Sequence, residues 1–389
     1  MKVTIALLGR FGAFNFAEQL ERHDALHKLV TVYPKYFVTR WRVPKEKIVS
    51  LLWLGVLGRS CLYLPHSWEK WINRSCILLF DFFSSWVIPR DSDIVIGWSN
   101  CCLRNLKKAS GKGAVTVLVR GSAHILDQDE LVSEEYRLWG ENLEHIVDDF
   151  TVRREIAGYD SSDYILVPSS FAKSTFVKRG YPPEKILENP YGVDLKMFHR
   201  MPRNDEKFRI IYCGALSLEK GVPYLLQAFC ELDLPNSELW LIGGMTPPVR
   251  QQLDRYRNDK VIWKGTYPQT ELSKLFSEGD VFVQYSIQDG FAMTIVQAMA
   301  CGLPVICSTN TGGPDVIEDG VHGFILPIRD PEALKEKLRY CHDHPDECKK
   351  MGAAAEAHAI HDNSWDLYGD RADSLYRKIL EKRRHEIQN

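Results

Sequence analysis

Short apolar runs rich in valine and isoleucine recur along the chain, and between them lie stretches whose apolar residues return every three or four positions. The runs predict buried strands, and the intervening stretches predict helices with one face turned inward. Their alternation predicts parallel sheets covered by helices on both faces, an α/β architecture. In the first half, strands are expected at Lys2–Leu8, Asp93–Gly97, Ala114–Val119 and Tyr164–Val167. The rhythm breaks at His199–Lys207 (HRMPRNDEK), a polar, proline-bearing stretch with the composition of a linker. A second series follows at Phe208–Cys213, Glu238–Ile242, Val261–Trp263, Asp280–Tyr285 and Leu303–Cys307. The helix after its first strand places Val222, Leu225, Leu226 and Phe229 on one face. Each strand runs into a polar or glycine-rich loop, and such sheets bind ligands beyond the carboxyl ends of their strands.

A chain of 389 residues exceeds one ordinary core, so two Rossmann-like domains are expected, 1–198 and 208–364, joined through 199–207. Apolar residues at 45% and charged residues at 26% exclude a disordered or collagen-like chain. A formal charge of −2 leaves no basic field for nucleic acid. The ten cysteines are scattered, Cys101 and Cys102 are adjacent, and no pair has zinc-site spacing. They read as small apolar residues in a reduced cytoplasm, Cys213, Cys301 and Cys307 among them. Met1–Leu8 lacks the basic start and cleavage site of a signal peptide. Ile48–Gly58, uncharged, is about half the length that spans a bilayer. A cytoplasmic protein without a transmembrane segment is expected.

One segment changes this picture. Tyr33–Arg90 holds five of the ten tryptophans and nine Lys or Arg against three acidic residues, a net charge of +6 by subtraction. Interleaved basic and aromatic residues suit an anionic membrane surface on the inner leaflet, with Arg40, Arg42, Lys45 and Lys47 as basic contacts. The alternative is a helical insertion that packs its tryptophans into the first domain.

The densest chemistry runs from Ser286 to Pro327. Gln288–Ala292 reads as a turn from strand into helix, its amides facing outward at the positive end of the helix dipole, where a diphosphate fits. Asp289 opens that turn, and Gln297 lies eight positions later on nearly the same helical face. An isolated carboxylate at a helix start is more often a cap. These residues, however, resemble the donor-binding signature of family 4 retaining glycosyltransferases, two glutamates separated by seven residues and followed by AMACGLPV. Asp289 and Gln297 replace the glutamates. Gln297 keeps hydrogen-bonding capacity for ribose hydroxyls, and Asp289 is one methylene shorter.

The resemblance continues at Tyr212–Gly221 (YCGALSLEKG), where Gly214 matches the turn and Lys220 matches the lysine that neutralises the leaving diphosphate. Ala215 stands where the family has an arginine, which removes one bidentate phosphate contact. In the first domain, Gly9–Gly12 (GRFG) follows the opening strand, and His124 in RGSAH matches a histidine near the transferred sugar. VPSSF at Val167–Phe171, NPYGVDLKMF at Asn189–Phe198, and a terminal segment at 365–389 that resembles a helix crossing back to the first domain extend the likeness over most of the chain.

The resemblance implies a GT-B fold, two Rossmann-like domains facing a central cleft, and a retaining, metal-independent transfer from a nucleotide diphosphate sugar of UDP or GDP type. The acceptor would be a glycan or lipid-linked saccharide, as in surface polysaccharide synthesis. Lys220, Asp289 and His124 are then the catalytic candidates. Gly12, Gly214, Lys220, Asp289, Gly290, Phe291, Ala292, Met293, Thr294 and Gln297 are the donor-binding candidates. No metal ligands and no cofactor beyond the co-substrate are expected. A sugar-nucleotide-binding partner subunit with weakened turnover, or an epimerase of the same architecture, are the alternatives.

Overall fold

The computed structural model describes residues 1–10, 12–60, 66–141, 143–203, 205–256 and 258–388. Seven strands form the first sheet: β1 (Val3–Ala6), β2 (Leu26–Thr31), β3 (Ile48–Ser50), β4 (Ile94–Trp98), β5 (Val115–Val119), β6 (Tyr164–Val167) and β7 (Ile186–Glu188). Six form the second: β8 (Phe208–Cys213), β9 (Ser237–Ile242), β10 (Val261–Gly265), β11 (Val281–Gln284), β12 (Val305–Ser308) and β13 (Gly323–Leu326). The orders are β3-β2-β1-β4-β5-β6-β7 and β10-β9-β8-β11-β12-β13. Every pairing within them is parallel. Each order reverses once, between β1 and β4 and between β8 and β11, and these switch points open a crevice at the carboxyl ends.

Around the first sheet lie α1 (Ala13–Arg22), α2 (Lys35–Val38), α3 (Leu52–Ser60), α4 (His66–Val87), α5 (Leu103–Ser110), α6 (Ile125–Leu138), α7 (Asp149–Ser161) and α8 (Ser170–Lys178). Around the second lie α9 (Val222–Leu232), α10 (Pro247–Arg255), α11 (Gln269–Ser277), α12 (Thr294–Ala300), α13 (Gly313–Val316), α14 (Pro331–Asp343) and α15 (Pro345–Asp362). The chain ends in α16 (Trp365–Gln388), whose Trp365, Tyr368, Ala372 and Tyr376 are buried in the first domain's core. Phe16 of α1 meets Tyr368 edge-on at 5.4 Å, and Gln19 donates to Asp366 at 3.0 Å.

Strands buried on both faces are the ones the apolar runs announce, such as β4 and β5, every residue of which is buried. Four strands go unannounced, β2, β3, β7 and β13, the last a four-residue edge strand of the second sheet. His27 and Lys28 interrupt the apolar run of β2 and reach outward to Asp91 and the Glu46 carbonyl. The two edge strands of the first sheet, β3 and β7, are three residues each. Among the described residues no disulfide joins two of the nine cysteines, eight of which are buried; Cys61 lies outside the described residues.

The tryptophan-rich segment departs from the packing alternative. Trp41 does pack, meeting Phe14 at 5.2 Å under the Arg10 guanidinium. Trp53, Trp68, Trp71 and Trp86 are exposed. The reason is that α4 already fills its inward stripe with Ile72, Cys76, Phe80, Ser84 and, just beyond its end, Ile88, at a four-residue spacing. No described helix is long and apolar enough to cross a membrane.

Candidate active site

At the switch point of the second sheet, two loops are tied together. The Ile287 amide donates to the Glu219 carbonyl at 2.9 Å, which joins the loop after β8 to the turn after β11. Gly221 makes this approach possible, because it holds φ +66° and a Cβ there would stand 1.9 Å from the Tyr285 carbonyl oxygen. Lys220, held at the junction, reaches its Nζ to Asp289 Oδ2 at 2.7 Å and to the Gln288 carbonyl at 3.3 Å. Burial alone would lower the lysine's pKa, but the carboxylates of Asp289 and Glu219 outweigh it and hold the ammonium above its ordinary value. Lys220 therefore stays charged at neutral pH. Burial pushes the neighbouring Glu219 carboxyl up, against the attraction of Lys220.

Asp289 does two jobs with its two oxygens. While Oδ2 holds Lys220, Oδ1 accepts from the Phe291 amide at 3.2 Å and the Ala292 amide at 2.9 Å. Two of the amides expected to face a diphosphate are thus already satisfied, because the short aspartate curls back on its own turn. Ala292 adopts φ +60° to complete that turn, a left-handed conformation that costs about 1 kcal/mol for a residue with a Cβ. The positive charge for an anion falls mainly to Lys220.

A cavity of about 320 Å³ opens here, lined by Gly214, Lys220, Asp289, Phe291, Ala292, Met293, Thr294 and Gln297, with Gly121, Tyr191, Cys213 and Gln284. The first eight were legible in the sequence. Tyr191 meets Phe291 edge-on at 5.5 Å, and Gln284 accepts from the Thr294 hydroxyl at 3.1 Å. The signals for Gly121 and Tyr191 were present in RGSAH and NPYG, but nothing in one dimension shows that these loops reach the second sheet.

The first domain closes over the turn. Gln288 donates to the Ser122 hydroxyl at 2.6 Å, and Ser169 donates to the Gly290 carbonyl at 2.5 Å. Gly290 does not line the cavity; it lies so close to the first domain that a Cβ would stand 2.1 Å from the Gly121 carbonyl oxygen. Farther out, Arg329 bridges to Glu134 and Glu135 of α6, each at 2.8 Å, and Trp139 meets Tyr224 at 5.4 Å.

Two further candidates, Gly12 and His124, also stand outside this lining. Gly12 caps α1 at φ +72° against the Trp365 ring, 3.2 Å from where a Cβ would be, and does not line the cavity. Its neighbour Phe11 lies outside the described residues. His124 is also absent from the lining; it is buried at the start of α6, where Nδ1 accepts from the Leu126 amide at 3.3 Å. Tyr159, Phe176 and Tyr181 surround its ring. Burial, opposed by Asp127, pushes His124 down to about 4. With its folded pKa below the unfolded value near 6.5, the stability it contributes is complete above about pH 6.5 and falls away toward pH 4. His124→Phe is expected to flatten that part of the stability–pH curve, read by urea melts across the range. An unchanged acid limb would mean that other groups set it.

Among the described residues no group of three or more His, Cys, Asp or Glu side chains is gathered to hold a metal ion.

Two parallel α/β domains closing over a site at the second sheet's switch point define the GT-B class. Solved structures agree with it over nearly the whole chain. Sucrose-phosphate synthase from Thermosynechococcus elongatus superposes with a TM-score of 0.74 at 16% identity, over 98% of this chain and 100% of that one. The Anabaena protein HepE, in complex with UDP and glucose, gives 0.68 at 16%, over 97% and 100%. Residues 195–358 match the family model of glycosyl transferases group 1. Among curated relatives, the O-antigen chain mannosyltransferase B of Escherichia coli is 27% identical over 197 residues, 46% of this chain and 51% of that protein. The chain spans about half the length of the first curated relatives it matches.

Proposed function

We propose that the protein transfers a sugar, with retention and without a metal, from a UDP- or GDP-type sugar donor to a saccharide or lipid-linked acceptor in polysaccharide or glycoconjugate synthesis. The observation that carries this reading is Lys220. An ammonium has three N–H donors; Asp289 and the Gln288 carbonyl take two, and the third is left for a phosphate oxygen in the cavity. As the acceptor oxygen bonds to the anomeric carbon from the face the diphosphate leaves, the carbon–oxygen bond to phosphate breaks. The acceptor's proton passes to the departing oxygen. Charge grows on the diphosphate, and a preorganised ammonium stabilises it there. Gln297, buried at the cavity wall, is the partner for ribose hydroxyls. The HepE complex with UDP and glucose and the mannosyltransferase relative support a nucleotide sugar and a glycan product.

The test is incubation with a panel of UDP- and GDP-sugars and mixed acceptors, following nucleoside diphosphate release and the product's anomeric configuration. Activity is expected to persist in excess chelator, since Lys220 supplies the charge. Loss on chelation, restored by magnesium or manganese, would overturn the metal-free mechanism. Binding without release would favour a partner subunit, and an epimerised donor would favour an epimerase.

A further inference from the structure

Helices α3 and α4 turn a band of large apolar side chains to solvent. Trp71 is 69% exposed and Trp86 66%, beside Trp53, Leu78, Phe82 and Phe83. Trp53 meets Phe83 edge-on at 5.0 Å, Phe83 meets Phe82 at 5.2 Å, and Phe82 leads to Trp86 at 6.2 Å. The rings form one continuous strip, whereas exposed apolar residues on soluble monomers are usually scattered singly.

The strip has a cationic edge that comes from a different element. The Arg104 guanidinium lies 4.9 Å over Phe82 and the Lys108 ammonium 4.6 Å over Trp86, both from α5. Arg90 and Lys112 join Lys108 around one crevice at the end of α4. Burial, then the charges of Lys112, Arg104 and Arg90, push the Lys108 pKa below its ordinary value, so these cations crowd one another. Asp81, the nearby acid of α4, is turned inward and accepts from the Arg104 and Asn105 amides while pairing with Arg154. Of the basic residues expected from the sequence, Arg40 lies over Phe37 at 5.3 Å, while two are drawn to carboxylates. Lys47 pairs with Glu21 at 2.6 Å and Arg42 approaches Glu18 at 3.8 Å, both carboxylates of α1.

We propose that the α3–α4 strip, with the α5 cations along its edge, docks the first domain on the surface of an anionic lipid bilayer. Tryptophan and phenylalanine rings favour the interfacial layer, and cations beside them meet anionic headgroups. The proposal does not depend on the transferase reading, since vesicle binding requires no donor.

The experiment is sedimentation of the whole chain with phosphatidylcholine vesicles, with and without phosphatidylglycerol, at low and high salt. The wild type is expected to bind the phosphatidylglycerol vesicles at low salt, with a blue shift of tryptophan emission, and to be released by salt. Arg104→Gln with Lys108→Gln should weaken partition about thirtyfold. Trp71→Ser with Trp86→Ser should remove the blue shift and weaken binding further, at positions exposed enough to leave the melting temperature unchanged. If the charge variant fails to fold, the tryptophan variant still reports on the same face. A wild type that stays in the supernatant with anionic vesicles at low salt overturns the proposal. So does a wild-type dimer that the tryptophan changes convert to monomer, which would assign the strip to a second copy.

Discussion

Replacing Lys220 with alanine is expected to slow sugar transfer about a hundredfold or more, because removing one preorganised charge stabiliser typically costs about 3 kcal/mol in the transition state. The ammonium is held at 2.7 Å from Asp289 and kept charged by Asp289 and Glu219, so its loss deprives the cavity of the one cation that lines it among the described residues. The fold should survive, since Asp289 keeps its hydrogen bonds to the Phe291 and Ala292 amides. The measurement is kcat and KM on the best donor, with a melting curve alongside. A fall in kcat larger than any rise in KM marks a group that acts in the transition state. A folded, equally active variant removes Lys220 from the mechanism.

Gly290→Ala should be comparably damaging for a different reason. A Cβ at this position would stand 2.1 Å from the Gly121 carbonyl oxygen and 2.6 Å from Ser122 Cα, and backbone atoms cannot swing aside as a side chain does. The domains must part, which breaks the Ser169 and Gln288 contacts and withdraws Gly121 from the cavity. Misplacement by about 1 Å can cost about a hundredfold in rate. Nucleoside diphosphate affinity should change little, because Lys220 and Gln297 belong to the second domain alone. Calorimetric titration and turnover of the same preparation separate the two. Turnover equal to the wild type would show that the closed arrangement is not the one in which transfer occurs.

These expectations rest on a site whose two halves differed in how openly the sequence announced them. Lys220, Asp289, Gln297 and the run through Thr294 lie within two motifs, since local chain geometry determines how a strand, its loop and the following helix start present their residues. The shorter Asp289 was visible as a departure, but its consequence was not. Only the folded turn shows that one carboxylate oxygen caps the Phe291 and Ala292 amides while the other holds Lys220.

By itself, then, the sequence determined the α/β class, the strands buried on both faces, and the second domain's half of the site, because periodicity and short-range geometry are properties of consecutive residues. It left silent the three-residue edge strands of the first sheet, the edge strand β13 of the second, and β2, whose polar residues face outward. Tertiary structure alone decided the questions that turn on distant segments meeting. It placed Gly121 and Tyr191 in the cavity, and it buried His124 among Tyr159, Phe176 and Tyr181. It also left four tryptophans exposed, because the inward stripe of α4 was already filled by residues spaced four apart. Finally, it brought Arg104 and Lys108 of α5 over those aromatic rings, where the sequence had pointed to Arg40, Arg42, Lys45 and Lys47. Hydrophobic pattern tells which face of a helix is apolar, but a helix with two apolar faces can bury only one against its own sheet, and packing makes that choice.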